Sequence, residues 1–165
     1  MPMLIEGSCR CAAVRFEVAS HTPVPYQLCY CSICRKQQGG GGFAINLGAI
    51  SSTLKVFGKR DLGLYRASIE DDEHAAREIS SGERRFCRKC GSALWLHDPR
   101  WPELVHPFAS AVDTELPAAS ERVHLMLKYK ASWVEPDIRQ GDRTFSLYPE
   151  ESIAEWHRQR GLWIE

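Results

Sequence analysis

The sequence predicts a mainly β protein of short, mostly antiparallel strands with one short helix near its C-terminus. Three observations predict it: apolar residues alternate with polar ones in brief runs, the runs are separated by Gly, Pro and Ser clusters, and a helix-capping signature appears late in the chain. Val14, Phe16 and Val18 alternate with Arg15 and Glu17, the period of a strand with one buried face. Phe43, Ile45 and Leu47 repeat the pattern after the glycines of 39–42. Leu54 with Val56, Ala93 to Leu96, and Val123, Leu125 and Leu127 supply further strands. The charged stretch Glu70 to Glu78 interrupts what would be a hairpin, so a solvated loop or a turn of helix is expected there. Ser152 and Glu155 stand at capping-box spacing, Ile153 and Trp156 share a face, and Gly161 can close that helix, which is expected to pack onto the sheet through Trp156.

At 165 residues and 44% hydrophobic content, the chain is long enough for a real core and is expected to form a single domain over residues 4–165. There is no internal repeat or linker. No stretch approaches the roughly 18 apolar residues of a membrane span, and the N-terminus lacks a basic start followed by a long apolar run. The expectation is a cytoplasmic protein without a membrane partner. Twenty-one basic and 21 acidic residues balance to zero formal charge, so no global field draws the chain to nucleic acid. Were all seven cysteines thiolates on two zinc ions, the net charge would move to roughly −3, further from a nucleic-acid binder.

Seven cysteines, an odd number, fit thiols kept reduced for metal or catalysis better than a secreted disulfide framework. Cys9 and Cys11 are two apart, so on an extended backbone both sulfurs leave one face and reach one ion. Cys87 and Cys90 have the C-x-x-C spacing of a zinc knuckle, followed by Gly91 where a tight turn needs a permissive residue. Together these four make a closed tetrahedral set. Cys29, Cys31 and Cys34 form C-x-C-x-x-C and offer only three thiolates, which leaves a fourth position for water or a substrate atom. The competing readings are buried unligated cysteines for the four, and a redox trio or a vestigial site with a disulfide for the three. An iron–sulfur cluster is disfavoured because no C-x-x-C-x-x-C repeat occurs.

The motifs Gly7-Ser8-Cys9-Arg10-Cys11, Cys29-Tyr30-Cys31-Ser32-Ile33-Cys34-Arg35 and Phe86-Cys87-Arg88-Lys89-Cys90-Gly91 resemble the glutathione-dependent formaldehyde-activating enzyme family, which includes centromere protein V. By motif the resemblance covers residues 4–113, with 114–165 similar to an extension found in part of the family. It implies an Mss4-like fold of small coiled sheets around zinc, structural zinc on Cys9, Cys11, Cys87 and Cys90, and catalytic zinc on Cys29, Cys31 and Cys34. It also implies a carbon–sulfur lyase that forms or cleaves a thiol–aldehyde adduct such as S-hydroxymethylglutathione, with glutathione or a similar thiol as substrate. Tyr30 stands where the family often has His, and Glu70 to Glu78 looks like an insertion.

A tripeptide thiol needs cations or backbone N–H groups for its carboxylates, and Arg35, Lys36, Gly39 and Gly40 follow the open site directly; the competing reading of these residues is a flexible hairpin loop with solvated charges. Arg84, Arg85, Arg88 and Lys89 are expected to offset the double negative charge of the four-thiolate ion. None of the six histidines lies at chelate spacing from a cysteine; His97, His106 and Tyr30 are the proton-donor candidates. The rival from another class is a non-catalytic carrier of glutathione or zinc, or an interaction module. A chromatin role would bring a basic tail or stripe, which is lacking.

Overall fold

The structure, a computed structural model, describes residues 1–38, 40–70 and 76–164. The first third of the chain contains β1 (Met3–Ser8), β2 (Arg15–Ser20), β3 (Tyr26–Cys29), α1 (Ser32–Gln38), β4 (Ala44–Asn46) and β5 (Ala49–Ile50). The middle contains β6 (Lys55–Phe57), β7 (Leu62–Tyr65), β8 (Ser68–Ile69), β9 (Glu78–Ile79), β10 (Glu83–Cys87) and β11 (Ala93–His97). After β12 (Leu104–Pro107) come β13 (Arg122–Leu125), β14 (Arg143–Thr144) and α2 (Ile153–Gln159). The mainly β class with a short C-terminal helix is therefore the observed one. No helix among the described residues is long and apolar enough to cross a membrane.

Three sheets position the cysteines. One has the order β5-β12-β11-β10-β7 and is antiparallel throughout. Another has the order β14-β13-β3-β4, in which β13 runs parallel to both β3 and β14. A third sheet, β1-β2-β6, lies against the first: Ile5, Phe16 and Val18 pack with Leu94, Trp95 and Val105, and Phe16 meets Trp95 edge-to-face at 5.4 Å. The alternation at Val14, Phe16 and Val18 thus marks a truly buried face, each being at most 1% exposed.

Alternation at Phe43 and Ile45 means something different. The β14-β13-β3-β4 sheet is covered on both faces, so Ala44 packs with Cys29 and Leu125 while Phe43 and Ile45 pack with Leu28 and Tyr30 on the other. Leu127 leaves the strand after Leu125 and enters a 3-10 turn led by Met126 in the left-handed region. β8 and β9 pair where the charged insertion was expected, and Glu78 belongs to β9; residues 71–75 of that expectation lie outside the described residues.

The C-terminal helix forms as its caps dictate. Glu155 N–H donates to Ser152 Oγ and Ser152 N–H donates to Glu155 Oε2, a reciprocal capping box. At the other end Gly161, at φ +66°, lets its own N–H reach the Arg158 carbonyl and the Leu162 N–H reach the His157 carbonyl. Ile153 and Ala154 pack on Leu104, and buried Trp156 donates from Nε1 to Glu121.

Candidate metal centres

Cys9 and Cys11 sit on a turn after β1 rather than on the extended backbone assumed from their spacing. Ala12 N–H donates to the Cys9 carbonyl and Ala12 adopts φ +59°, which folds the loop so that the sulfurs of buried Cys9 and exposed Cys11 lie side by side. Val14 N–H donates to Cys9 Sγ at 3.2 Å, fixing that sulfur. Opposite lies the β10–β11 connection, where Gly91 at φ +75° allows its N–H to donate to the Cys87 carbonyl. The four Sγ atoms all lie within 4.8 Å of one another, with Cys9–Cys11 at 3.6 Å and Cys11–Cys87 at 3.8 Å. A Zn–S bond of about 2.3 Å in a tetrahedron puts sulfurs about 3.8 Å apart, so the two edges that meet at Cys11 already have nearly the length that ion demands. Cys9 and Cys87 belong to the main core cluster, which ties the centre to the β1-β2-β6 and β10-β11 packing.

Cys29, Cys31 and Cys34 form the second set, with sulfurs again within 4.8 Å of one another. Cys29 ends β3, held between Ala44 of β4 and Leu125 of β13. Cys31 immediately precedes α1, and its sulfur accepts the Cys34 N–H at 3.3 Å. That helix was not apparent in the sequence, because Ser32 to Gln38 carries no apolar period. Among the described residues no histidine, aspartate or glutamate completes this set, so a bound ion would have three protein ligands and an open position.

The surroundings of the three differ from those of the four. Arg84, on β10, donates from Nη2 to Cys34 Sγ at 3.6 Å. The expectation that Arg84 serves the four-thiolate centre is therefore corrected: its side chain crosses to the other site. Lys89 instead pairs with Asp61 at 3.2 Å and Arg85 with Glu83 at 3.6 Å, so their charge is answered by carboxylates. The Cys34 thiol is held well below its ordinary pKa by hydrogen bonds from Cys29 and Cys31, against the opposing effect of burial, and with help from the Arg84 charge. The Cys29 thiol is pushed up by the same sulfur hydrogen bonds and by burial.

Behind the C-x-C pair runs a buried polar relay that no spacing announced. Tyr30 points to the opposite face from Cys29 and Cys31, packing with Leu28 and Val134. Its hydroxyl meets His124 Nδ1 at 2.8 Å, and His124 Nε2 meets Asp142 Oδ2 at 3.0 Å. Burial pushes the Asp142 carboxyl up, but hydrogen bonds from Arg122, from the Arg139 N–H and from His124 outweigh it and hold the group well below the usual carboxylate range. The relay braces β3 against β13, and so braces Cys29.

Of the residues expected to contact a thiol substrate, Arg35 is half-buried with its Nε lacking a partner, while Lys36 and Gly40 are exposed. Gly39 lies outside the described residues. His97 faces Glu83 at 3.9 Å and His106 Nδ1 meets the Leu47 carbonyl at 3.1 Å, so the structure engages both away from the cysteines. Tyr148 is exposed, yet it stands in the field of Cys29, Cys31 and Cys34, and sequence spacing gave no signal for it. A polar cavity of about 480 Å³, lined by Ser8, Arg10, Gln38, Ser92, Ser110 and Asp113, adjoins the four-cysteine centre rather than the open one. Its groups are mostly engaged with each other, as in Ser8 to Asp113 and Ser110 to Gln38, both 2.6 Å.

Fold and sites define a mainly β protein with two separate cysteine centres, each able to hold a metal ion. The model of the glutathione-dependent formaldehyde-activating enzyme family matches residues 4–128, and the chain belongs to that family. The match runs past residue 113 and takes in β13, which supports Cys29. A Halomonas elongata protein named "Putative glutathione-dependent formaldehyde-activating enzyme" is 58% identical over 160 residues, covering 97% of this chain and 98% of that one. The segment after residue 128 is thus shared with that relative. The crystal structure of a Rhodobacter sphaeroides protein superposes with a TM-score of 0.52 at 27% identity, covering 68% of this chain and 91% of the other.

Proposed function

We propose that the Cys29, Cys31, Cys34 centre binds zinc and catalyses formation or cleavage of a carbon–sulfur bond between glutathione, or a similar thiol, and an aldehyde such as formaldehyde. The observation that carries this is the contrast between the centres: four sulfurs close one, while the three of the other leave a ligand position beside a buried cation. The family description and the name of the Halomonas relative support thiol and aldehyde as the substrates. In this reading Cys9, Cys11, Cys87 and Cys90 hold a structural zinc.

Zinc at the open centre would supply a Lewis acid that keeps a substrate thiol deprotonated at neutral pH. The three cysteines would hold that ion, with Cys29 braced from behind by Tyr30, His124 and Asp142. The substrate sulfur attacks the aldehyde carbon, the C–S bond forms as the carbonyl π pair moves to oxygen, and that oxygen takes a proton from water. Cleavage is the reverse. Arg35, whose Nε has no partner among the described residues, would contact the substrate carboxylates, with Lys36, Gly39 and Gly40 as the further candidates.

The test is disappearance of a glutathione–formaldehyde hemithioacetal, followed at several protein concentrations with wild type and Cys31→Ser. A rate proportional to wild-type protein and absent in Cys31→Ser supports the enzyme. Stoichiometric thiol binding without turnover would instead identify a carrier.

A further inference from the structure

We propose that Arg84 selects a thiolate for the open position of the Cys29, Cys31, Cys34 centre, its free N–H groups donating to the incoming sulfur; the inference rests on the enzymatic reading of that centre. Arg84 lies on β10, paired with Tyr65 of β7 and Leu96 of β11, so its backbone is fixed by strands on both sides. Only 7% of it is exposed. Nη2 donates to Cys34 Sγ, whereas Nε and Nη1 are buried and have no partner among the described residues.

A buried guanidinium is costly unless anions answer it, and each unmet donor adds to that cost. No carboxylate pairs with Arg84 among the described residues, although Arg66, Arg85, Arg100, Arg122 and Arg143 all have one. Among the described residues the only acceptor Arg84 finds is a cysteine sulfur. Its planar fork is suited to two acceptors at once. A second sulfur anion beside Cys34 would give the remaining donors what they lack.

Charge leads to the same conclusion. Three thiolates on a divalent ion carry a net single negative charge, and a fourth thiolate would double it. The guanidinium offsets one of those charges within hydrogen-bond reach, which favours an anionic fourth ligand over a neutral thioether or alcohol of the same shape. Arg35 also has an unmet Nε, but it retains some solvent exposure and no sulfur contact, so it carries no comparable inference.

The experiment compares glutathione with S-methylglutathione, which keeps the carboxylates and loses the ionisable thiol, on protein whose metal has been exchanged for cobalt(II). Binding is read by the thiolate-to-cobalt charge-transfer band and by calorimetry, independently of turnover. In wild type, glutathione should strengthen the band and bind more tightly than its S-methyl analogue. In Arg84→Met that preference should fall about tenfold or more, with S-methylglutathione affinity unchanged. Arg84→Lys, which keeps a point charge without the fork, serves if Arg84→Met fails to fold and should also lose most of the preference. Equal losses for both ligands, or full preference in Arg84→Lys, would overturn the assignment. A wild-type protein that takes up no thiol would overturn the enzymatic reading itself, a result distinct from an Arg84 variant that discriminates as well as wild type.

Discussion

Cys90→Ser and Cys31→Ser separate the two centres by the lengths of chain they tie together. Both cysteines are at least partly exposed, so neither replacement opens a cavity in the core. Loss of metal from the four-cysteine centre releases a link between residues 76 apart, Cys11 and Cys87. Chain-entropy reasoning for a loop of that length gives about 4.5 kcal/mol. The open centre ties only Cys29 to Cys34, and the logarithmic dependence on loop length makes its link worth about 2–2.5 kcal/mol less. At about 2–4 °C per kcal/mol for a chain of this size, Cys90→Ser should lower the melting temperature by about 9–18 °C, and Cys31→Ser by roughly half as much or less. The assay is thermal melting by circular dichroism, with metal content measured on the same samples. Equal shifts, or a larger one for Cys31→Ser, would refute the assignment of the long tie to the four-cysteine centre.

Two further outcomes follow from groups outside the metal centres. Asp142→Asn should destabilise the protein by about 1–3 kcal/mol in chemical denaturation, because it removes the buried charged acceptor of the largely buried Arg122 and leaves that guanidinium only the exposed Asp137. It should also speed metal loss from the open centre alone, since the same group braces β13 against β3. Stability should fall as pH drops below about 6.5, because burial lowers the pKa of His157, His106 and His21, the last also by the Arg158 charge. Each of these imidazoles is neutral in both folded and unfolded chains above that value. Below it the unfolded chain takes up protons first, and stability is lost as pH falls toward the lowered pKa values. The C-terminal segment should respond through His21, whose Nδ1 must stay unprotonated to accept the Ile164 N–H at 2.9 Å. Denaturation midpoints between pH 7.5 and 5, with His21→Asn for comparison, check both points; a flat profile would contradict them.

How much was legible in the sequence depended on whether a feature is local. Cysteine spacings and the Ser152–Glu155 capping box are written within a few residues, and both correspond to what the chain forms. Val14, Phe16 and Val18 show their buried face because one side of β2 meets the core. The pattern at Phe43 and Ile45 could not reveal a sheet covered on both sides, and nothing in an apolar run says that β13 pairs in parallel. α1 escaped notice because its apolar residues, Ile33 and Cys34, are adjacent and set no helical period, and its start is set by Cys31, a residue type with no capping reputation. Arg84 was assigned to its sequence neighbours, whereas its side chain reaches a cysteine 50 residues earlier. The Tyr30–His124–Asp142 relay joins three segments far apart in sequence, so single-residue spacing holds no trace of it.

The most direct measurement of the central claim is native mass spectrometry of the protein during titration with a mild chelator, with and without glutathione. The account predicts two zinc ions per chain at the outset, glutathione retained only while both are present, and a single ion lost first, together with thiol binding, while the folded charge-state distribution persists. Two ions leaving together with unfolding, or glutathione retained after the first ion has gone, would contradict the division into a closed structural centre and an open reactive one.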